Sequence, residues 1–128
     1  MDRIKAPTRI VLREQNRARH AYESVNSVPV EKLADYHIGV NDLGVNILRG
    51  GLCAALATLQ RLGDRGALLL QHLAGSRIPG LEEVPAQDFV ARVRELTAED
   101  YMIATREALR VAMWLKRAAQ ARASTEGD

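Results

Sequence analysis

The stretch "YMIATREALRVAMWLKRAAQAR", Tyr101–Arg122, decides how the rest of the chain is read. It holds neither Gly nor Pro, and it is rich in Ala, Leu, Arg and Lys, the strongest helix formers. At 100° per residue, Ala104, Ala108, Val111 and Leu115 share one face, which predicts a buried apolar side. Arg106, Arg110 and Arg117 fall within about 40° of one another on a different side. From Arg106 to Arg122 there are five basic side chains and one acid, Glu107. A solvated helix ordinarily interleaves both signs. This one does not, and that bias is the first functional signal in the sequence.

Working upstream, Thr97 has the chemistry of an N-cap, with Asp100 three residues on standing in for the usual capping-box acid. A preceding helix is expected over about Ala86–Leu96. "SRIPGLEEVP" contains Gly and two prolines and predicts a loop of the kind that is often functional or mobile. "ALLLQHLAG" reads as a short, mostly buried helix stopped by Gly75, and "GDRG" as a turn. A helix from Gly51 to Leu62 places Leu52, Ala55, Leu56, Leu59 and Leu62 on one face. Another, from about Val30 to Arg49, repeats Leu33, Tyr36, Val40, Leu43 and Ile47 at threes and fours. Gly39 and Gly44 within it suggest close packing or a bend. The first helix is expected from about Thr8 to Val25, with Ile10, Val11, Ala18, Ala21, Tyr22 and Val25 inward and Arg9, Arg13, Arg17 and His20 adjoining them. No segment alternates as a strand does. The fold class is therefore all-α, a single compact bundle of about six helices forming one domain over residues 1–128, with a frayed tail from about residue 123.

Composition agrees. Of 128 residues, 47% are apolar and only 4% aromatic, so the core must be built mainly from Ala, Leu and Val. The net charge of +2 conceals segregation: residues 1–20 carry six Lys/Arg and two acids, whereas the span between the two basic ends carries seven and eleven. Such asymmetry is the electrostatic footprint of a polyanion partner, or else a solubilising surface. Cys53 is the single cysteine, too few for an internal disulfide or a zinc site. The first residues lack a signal-peptide pattern, and no apolar run approaches a membrane span, which points to the cytoplasm and away from any membrane partner.

Catalytic chemistry finds no support. His20, His37 and His72 are widely spaced and belong to no metal-ligand motif. Glu82–Glu83 and Glu99–Asp100 are adjacent pairs, explained by a loop and a helix start. Cys53 has no evident base and reads as a packing residue. Gly50–Gly51, beside Arg49, is either a helix–helix corner or a place where exposed N–H groups meet a phosphate. No cofactor and no metal is called for.

Two segments resemble a known family. "ILRGGLCAALATLQRLGDRGALLLQHL" and "YMIATREALRVAMWLKRAAQA" are similar to the G-L segment and closing helix of the small, fifth subunit of the Cmr complex, the type III-B CRISPR effector. The matching residues are Gly51, Leu52, Ala55, Leu56, Tyr101, Thr105, Glu107, Ala108, Leu109, Trp114, Leu115, Lys116 and Arg117. "REQNRARHAYESV" fits the family's basic opening helix. Gly50 stands where a polar residue, often Asn, is expected, and "VEKLADYHIGVNDLGVN" matches poorly.

The resemblance implies a non-catalytic subunit stacked along the effector backbone, touching other Cmr subunits and the phosphates of guide and target RNA without reading sequence. The side chains expected to face RNA are Arg9, Arg13, Arg17, Arg49, Arg106, Arg110, Lys116 and Arg117. Trp114 borders this stripe, as a packing anchor or a base-stacking surface. An alternative is an adaptor that binds only protein, with the arginines in salt bridges to neighbouring subunits. The acidic middle of the chain leaves head-to-tail self-association open.

Overall fold

The computed structural model describes residues 5–126, with side chains from 13 to 125. Its elements are α1 (Lys5–Asn26), a 3-10 turn (Val30–Lys32), α2 (Leu33–Gly50), α3 (Leu52–Arg61), α4 (Asp64–Ala74), α5 (Ala86–Arg94) and α6 (Ala98–Glu126). Among the described residues there is no strand, as the sequence predicts. The longest helix, α6, is the axis: α1 packs along one side and α2 along another. The shorter helices build outward, with α3 and α4 on α2 and α5 resting on α3 and α4.

The apolar periods place the core. All five stripe residues of α2, Leu33, Tyr36, Val40, Leu43 and Ile47, are buried, as are Ala104, Ala108, Val111 and Leu115 of α6. They join Leu52, Ala55, Leu56 and Leu59 of α3 and Leu69 and Leu73 of α4 in one apolar cluster. Three assigned core residues lie outside it: Leu62 is 37% exposed, Tyr22 40%, and Ala18 is only half-buried. Leu62 follows the last residue of α3, where the chain is already turning. Ile10 and Val11 fall outside the described side chains.

Local chemistry sets the helix ends. Thr97 caps α6, its Oγ1 accepting the Asp100 N–H at 3.2 Å. Glu99 and Asp100 in the first turn oppose the positive end of the helix dipole. The helix continues to Glu126, past the expected end near Arg122. The α2–α3 corner is made by Gly51 at φ 92°, whose N–H returns to the Ile47 carbonyl. There Tyr101 of α6 reaches across, its hydroxyl accepting the Cys53 N–H at 3.0 Å. The Gly51 and Cys53 donors at this corner are therefore engaged within the fold, and it acts as a structural joint.

Three expectations need correction. "GDRG" is not wholly a turn: α4 starts at Asp64, and Gly66 lies in its first helical turn. A Cβ on Gly66 would sit 2.2 Å from the Leu59 carbonyl oxygen, so glycine is what allows α3 and α4 to cross this closely. Of the two α2 glycines, Gly39 faces Leu69 closely, while Gly44 has open space around it and marks no contact. The segment expected as a loop, 76–85, is indeed non-helical, but it is anchored: Ile78 and Leu81 are each 1% exposed. Isolated apolar residues among prolines and glycines have no periodicity, so nothing in the sequence pattern warns of this burial.

A buried polar chain ties three helices together. The Tyr36 hydroxyl donates to His72 Nδ1 at 2.7 Å, and His20 Nε2 donates to the His72 carbonyl at 2.9 Å. The Tyr36 and His72 rings also meet edge to face, 5.4 Å between centroids. Burial, helped by nearby His20, holds the His72 imidazole down to about 4, and burial raises the Tyr36 phenol.

These features set two expectations. Gly66→Ala should lose about 1–3 kcal/mol by overpacking against a backbone oxygen, whereas Gly44→Ala should gain about 0.5–1 kcal/mol from helix propensity; urea denaturation distinguishes them. For His72, the unfolded chain takes up a proton below its ordinary value of 6.5, while the folded chain resists until about 4. Its contribution is therefore complete above 6.5 and falls as pH drops towards 4, by roughly 2–3 kcal/mol. Denaturation midpoints across this window should show the decline, and His72→Gln should flatten it.

Candidate nucleic-acid interface

The α1–α6 seam gathers basic side chains from both chain ends. The two helices run in the same sense: Arg17 meets Glu107, and further along Arg122 reaches the end of α1. Glu107 is 7% exposed. One carboxylate oxygen pairs with the Arg17 guanidinium and the other with Arg110, at 3.6 Å. The lone acid of the α6 basic run is thus a buried counterion between two arginines of different helices. Three positive groups converge here: burial most of all, then Arg13 and Arg110, disfavour the charge on Arg17, opposed by Glu14.

The expected contact residues separate into distinct environments. Arg13, Arg106, Lys116 and Arg117 are exposed. Arg110 is exposed by 56% of its side chain while keeping its contact with Glu107. Arg17 is turned inward, with 11% of its side chain accessible. Arg49 is exposed at the end of α2, beside the glycine corner. Arg9 lies outside the described side chains. Arg117 sits 5.2 Å from the Trp114 ring centroid, a cation–π contact. The indole is half-buried against the core, which suits the packing-anchor reading.

Sequence reasoning missed the work done by Arg122. It belongs to the same basic run, yet its guanidinium donates to the Val25 and Val28 carbonyls, each at 2.6 Å, closing the C-terminal end of α1. It also missed Arg77, which stands opposite α1 on the turn after α4. The nearest signal for Glu107 was its place on the wheel, beside the Ala104–Val111 face and short of the solvent side.

Apolar side chains interrupt the stripe. Met102 is 63% exposed and Met113 46%, on the same side of α6 as Arg106 and Arg117. Among the described residues, no three His, Cys, Asp or Glu side chains are grouped to hold a metal ion. No described helix is long and apolar enough to cross a membrane.

Fold and seam together define a small all-helical protein whose terminal helices carry exposed basic side chains. The family model described as CRISPR-associated protein (Cas_Cmr5) matches residues 13–122. The structure resembles the crystal structure of a CRISPR-associated Cmr5 family protein from Thermus thermophilus. That match has a TM-score of 0.74 and 30% identity, and covers 84% of this chain and 95% of the other. A search of curated proteins finds no match. The chain belongs to the Cmr5 family of CRISPR-associated proteins, and as such is a structural subunit of the Cmr complex.

Because Arg17 and Glu107 are both largely withdrawn from water, Glu107→Gln should cost on the order of 3 kcal/mol by stranding the Arg17 charge. Converting both to methionine should restore most of that loss, since an apolar pair leaves no uncompensated charge. Chemical denaturation of the two variants against the parent measures this.

Proposed function

We propose that this subunit lies along the type III-B effector backbone and contacts guide and target RNA through phosphates, without reading sequence. In this reading the 128 residues act as one domain in the cytoplasm and make no chemical step of their own. The observation that carries it is the meeting of the two basic chain ends: Arg13 of α1 and Arg110 of α6 both lie close enough to Arg17 to disfavour its charge. Exposed Arg106, Lys116 and Arg117 extend that cluster along α6. Like charges held together at a protein surface are stabilised by a polyanion, and phosphates offer the same charge whatever the base sequence. Arg49 would make a separate contact at the glycine corner, and Arg9 would extend the α1 stripe.

A second reading rests on the methionines. Exposed Met102 and Met113 between arginines suit a protein partner better than a phosphate backbone, because a phosphate has no use for apolar surface. Under it, the stripe contacts another effector subunit or a further copy of this chain, head to tail.

The salt dependence of RNA binding separates them. Changing Arg106, Arg110 and Arg117 to glutamine leaves Arg17 to hold Glu107. The triple variant should bind single-stranded RNA more weakly at low salt, with a log–log salt slope flatter by about 2, from roughly 0.7 per lost contact. The loss should be equal for unrelated sequences. A well-folded variant with its slope intact, but unable to assemble with other subunits, would transfer the stripe to a protein contact.

A further inference from the structure

Arg17 faces a second environment as well as Glu107. Between α1 and the turn that leaves α4 lies an open cleft of about 420 Å³, lined among others by Arg13, Arg17, His20, Ser76 and Arg77. None of its lining residues is acidic. Glu107 stands behind Arg17, and Glu83 is 4.0 Å from Arg77 with both side chains mostly in solvent, so that pair is loose and screened.

The end of a helix ordinarily repels anions, because its last carbonyls point outward. Here three of the last four are already taken. The Gln71 carbonyl accepts the Gly75 N–H, the Leu73 carbonyl accepts the Ser76 N–H and hydroxyl, and the His72 carbonyl accepts from His20. What remains on the cleft wall is cationic and donor-rich. Arg77 adds a separate observation. It is the one non-glycine among the described residues with positive φ, at 58°. A left-handed arginine is a disfavoured conformation that persists only where its surroundings fix it, and such residues concentrate at binding sites. This conformation occurs on the cleft wall, opposite Arg13 and Arg17 on α1.

We propose that this cleft is a site for a phosphate group, held between Arg13 and Arg17 of α1 and Arg77 of the α4–α5 turn. Glu107 engages one side of the Arg17 guanidinium, whose five N–H donors leave others for the cleft. The phosphate is either a diester of an RNA backbone or that of a free phosphorylated molecule. The first source rests on the function proposed above, and the second is independent of it. Arg77 belongs to neither basic stripe, so the site can be tested apart from them.

The test uses the isotopically labelled full chain, following the backbone amides of Gly75, Ser76 and Arg77 by NMR. Inorganic phosphate is titrated against chloride at matched ionic strength. Phosphate should produce saturable shifts at these amides. Arg77→Gly, which suits the positive φ, and Arg13→Gln should each weaken binding about tenfold, as expected for a lost charged hydrogen bond. Arg106→Gln with Arg117→Gln should leave it unchanged. If a short oligouridylate competes with phosphate for the same amides, the source is an RNA backbone. If phosphate saturates them and the oligonucleotide does not compete, the site serves a free phosphorylated ligand, and the RNA stripe stands or falls on its own salt slope. Shifts that follow ionic strength alone, or an affinity unaltered in a folded Arg77→Gly variant, would overturn the site.

Discussion

The Glu107 carboxylate, sunk between Arg17 and Arg110 where α1 meets α6, is the interaction on which the arrangement depends. Removing a carboxylate and a guanidinium from water is costly, and mutual attraction offsets that cost only when the geometry is held. Apolar packing holds it here: Ala21 and Val25 of α1 and Ala104, Ala108 and Val111 of α6 are buried along the same helices. The pair in return constrains how α1 can slide along α6, because a shifted register would leave a charge buried alone. Arg122, bonded to the carbonyls that close α1, fixes the far end of the seam. Basic residues of the terminal helices thus serve two purposes. Those turned inward, Arg17 and Arg122, set the register, and Arg13, Arg106, Lys116 and Arg117 are left in solvent.

The polar chain from Tyr36 through His72 to His20 extends this order beyond the α1–α6 pair. It links α2, α4 and α1 with directional bonds where the neighbouring contacts are apolar and non-directional. The anchored segment 76–85 completes the same region, with Ile78 and Leu81 in the core and Arg77 left at the rim. Buried residues on either side of Arg77 limit how far its backbone can relax.

What could be read in advance follows from which forces are local. The α2 stripe and the α6 apolar face were legible because a 3.6-residue period repeats several times within one helix. Thr97 was legible as a cap because its partner, Asp100, is three residues away. The α4 start was misjudged because Gly66 resembles a turn residue in isolation, while its actual role depends on Leu59 of another helix. Arg17, Arg122 and Glu107 illustrate the same limit. Each belongs to a basic or mixed run whose surface role is the natural reading, and only the docking of α1 on α6 assigns them partners 90 or more residues distant. For the candidate interface, residue types and their segregation could be read, but not which arginines would remain in solvent.

Arg117 over Trp114 has a practical side. The chain contains one tryptophan, and it sits half-buried at the border of the basic stripe with a guanidinium against its ring. Indole emission is sensitive to nearby charge and to solvent contact. Whatever draws Arg117 away from that ring, a phosphate or a carboxylate of another subunit, alters the environment of the sole indole fluorophore. The unmodified subunit therefore carries an intrinsic optical reporter at one end of its stripe, and assembly can be followed without attaching a dye to the surface under study.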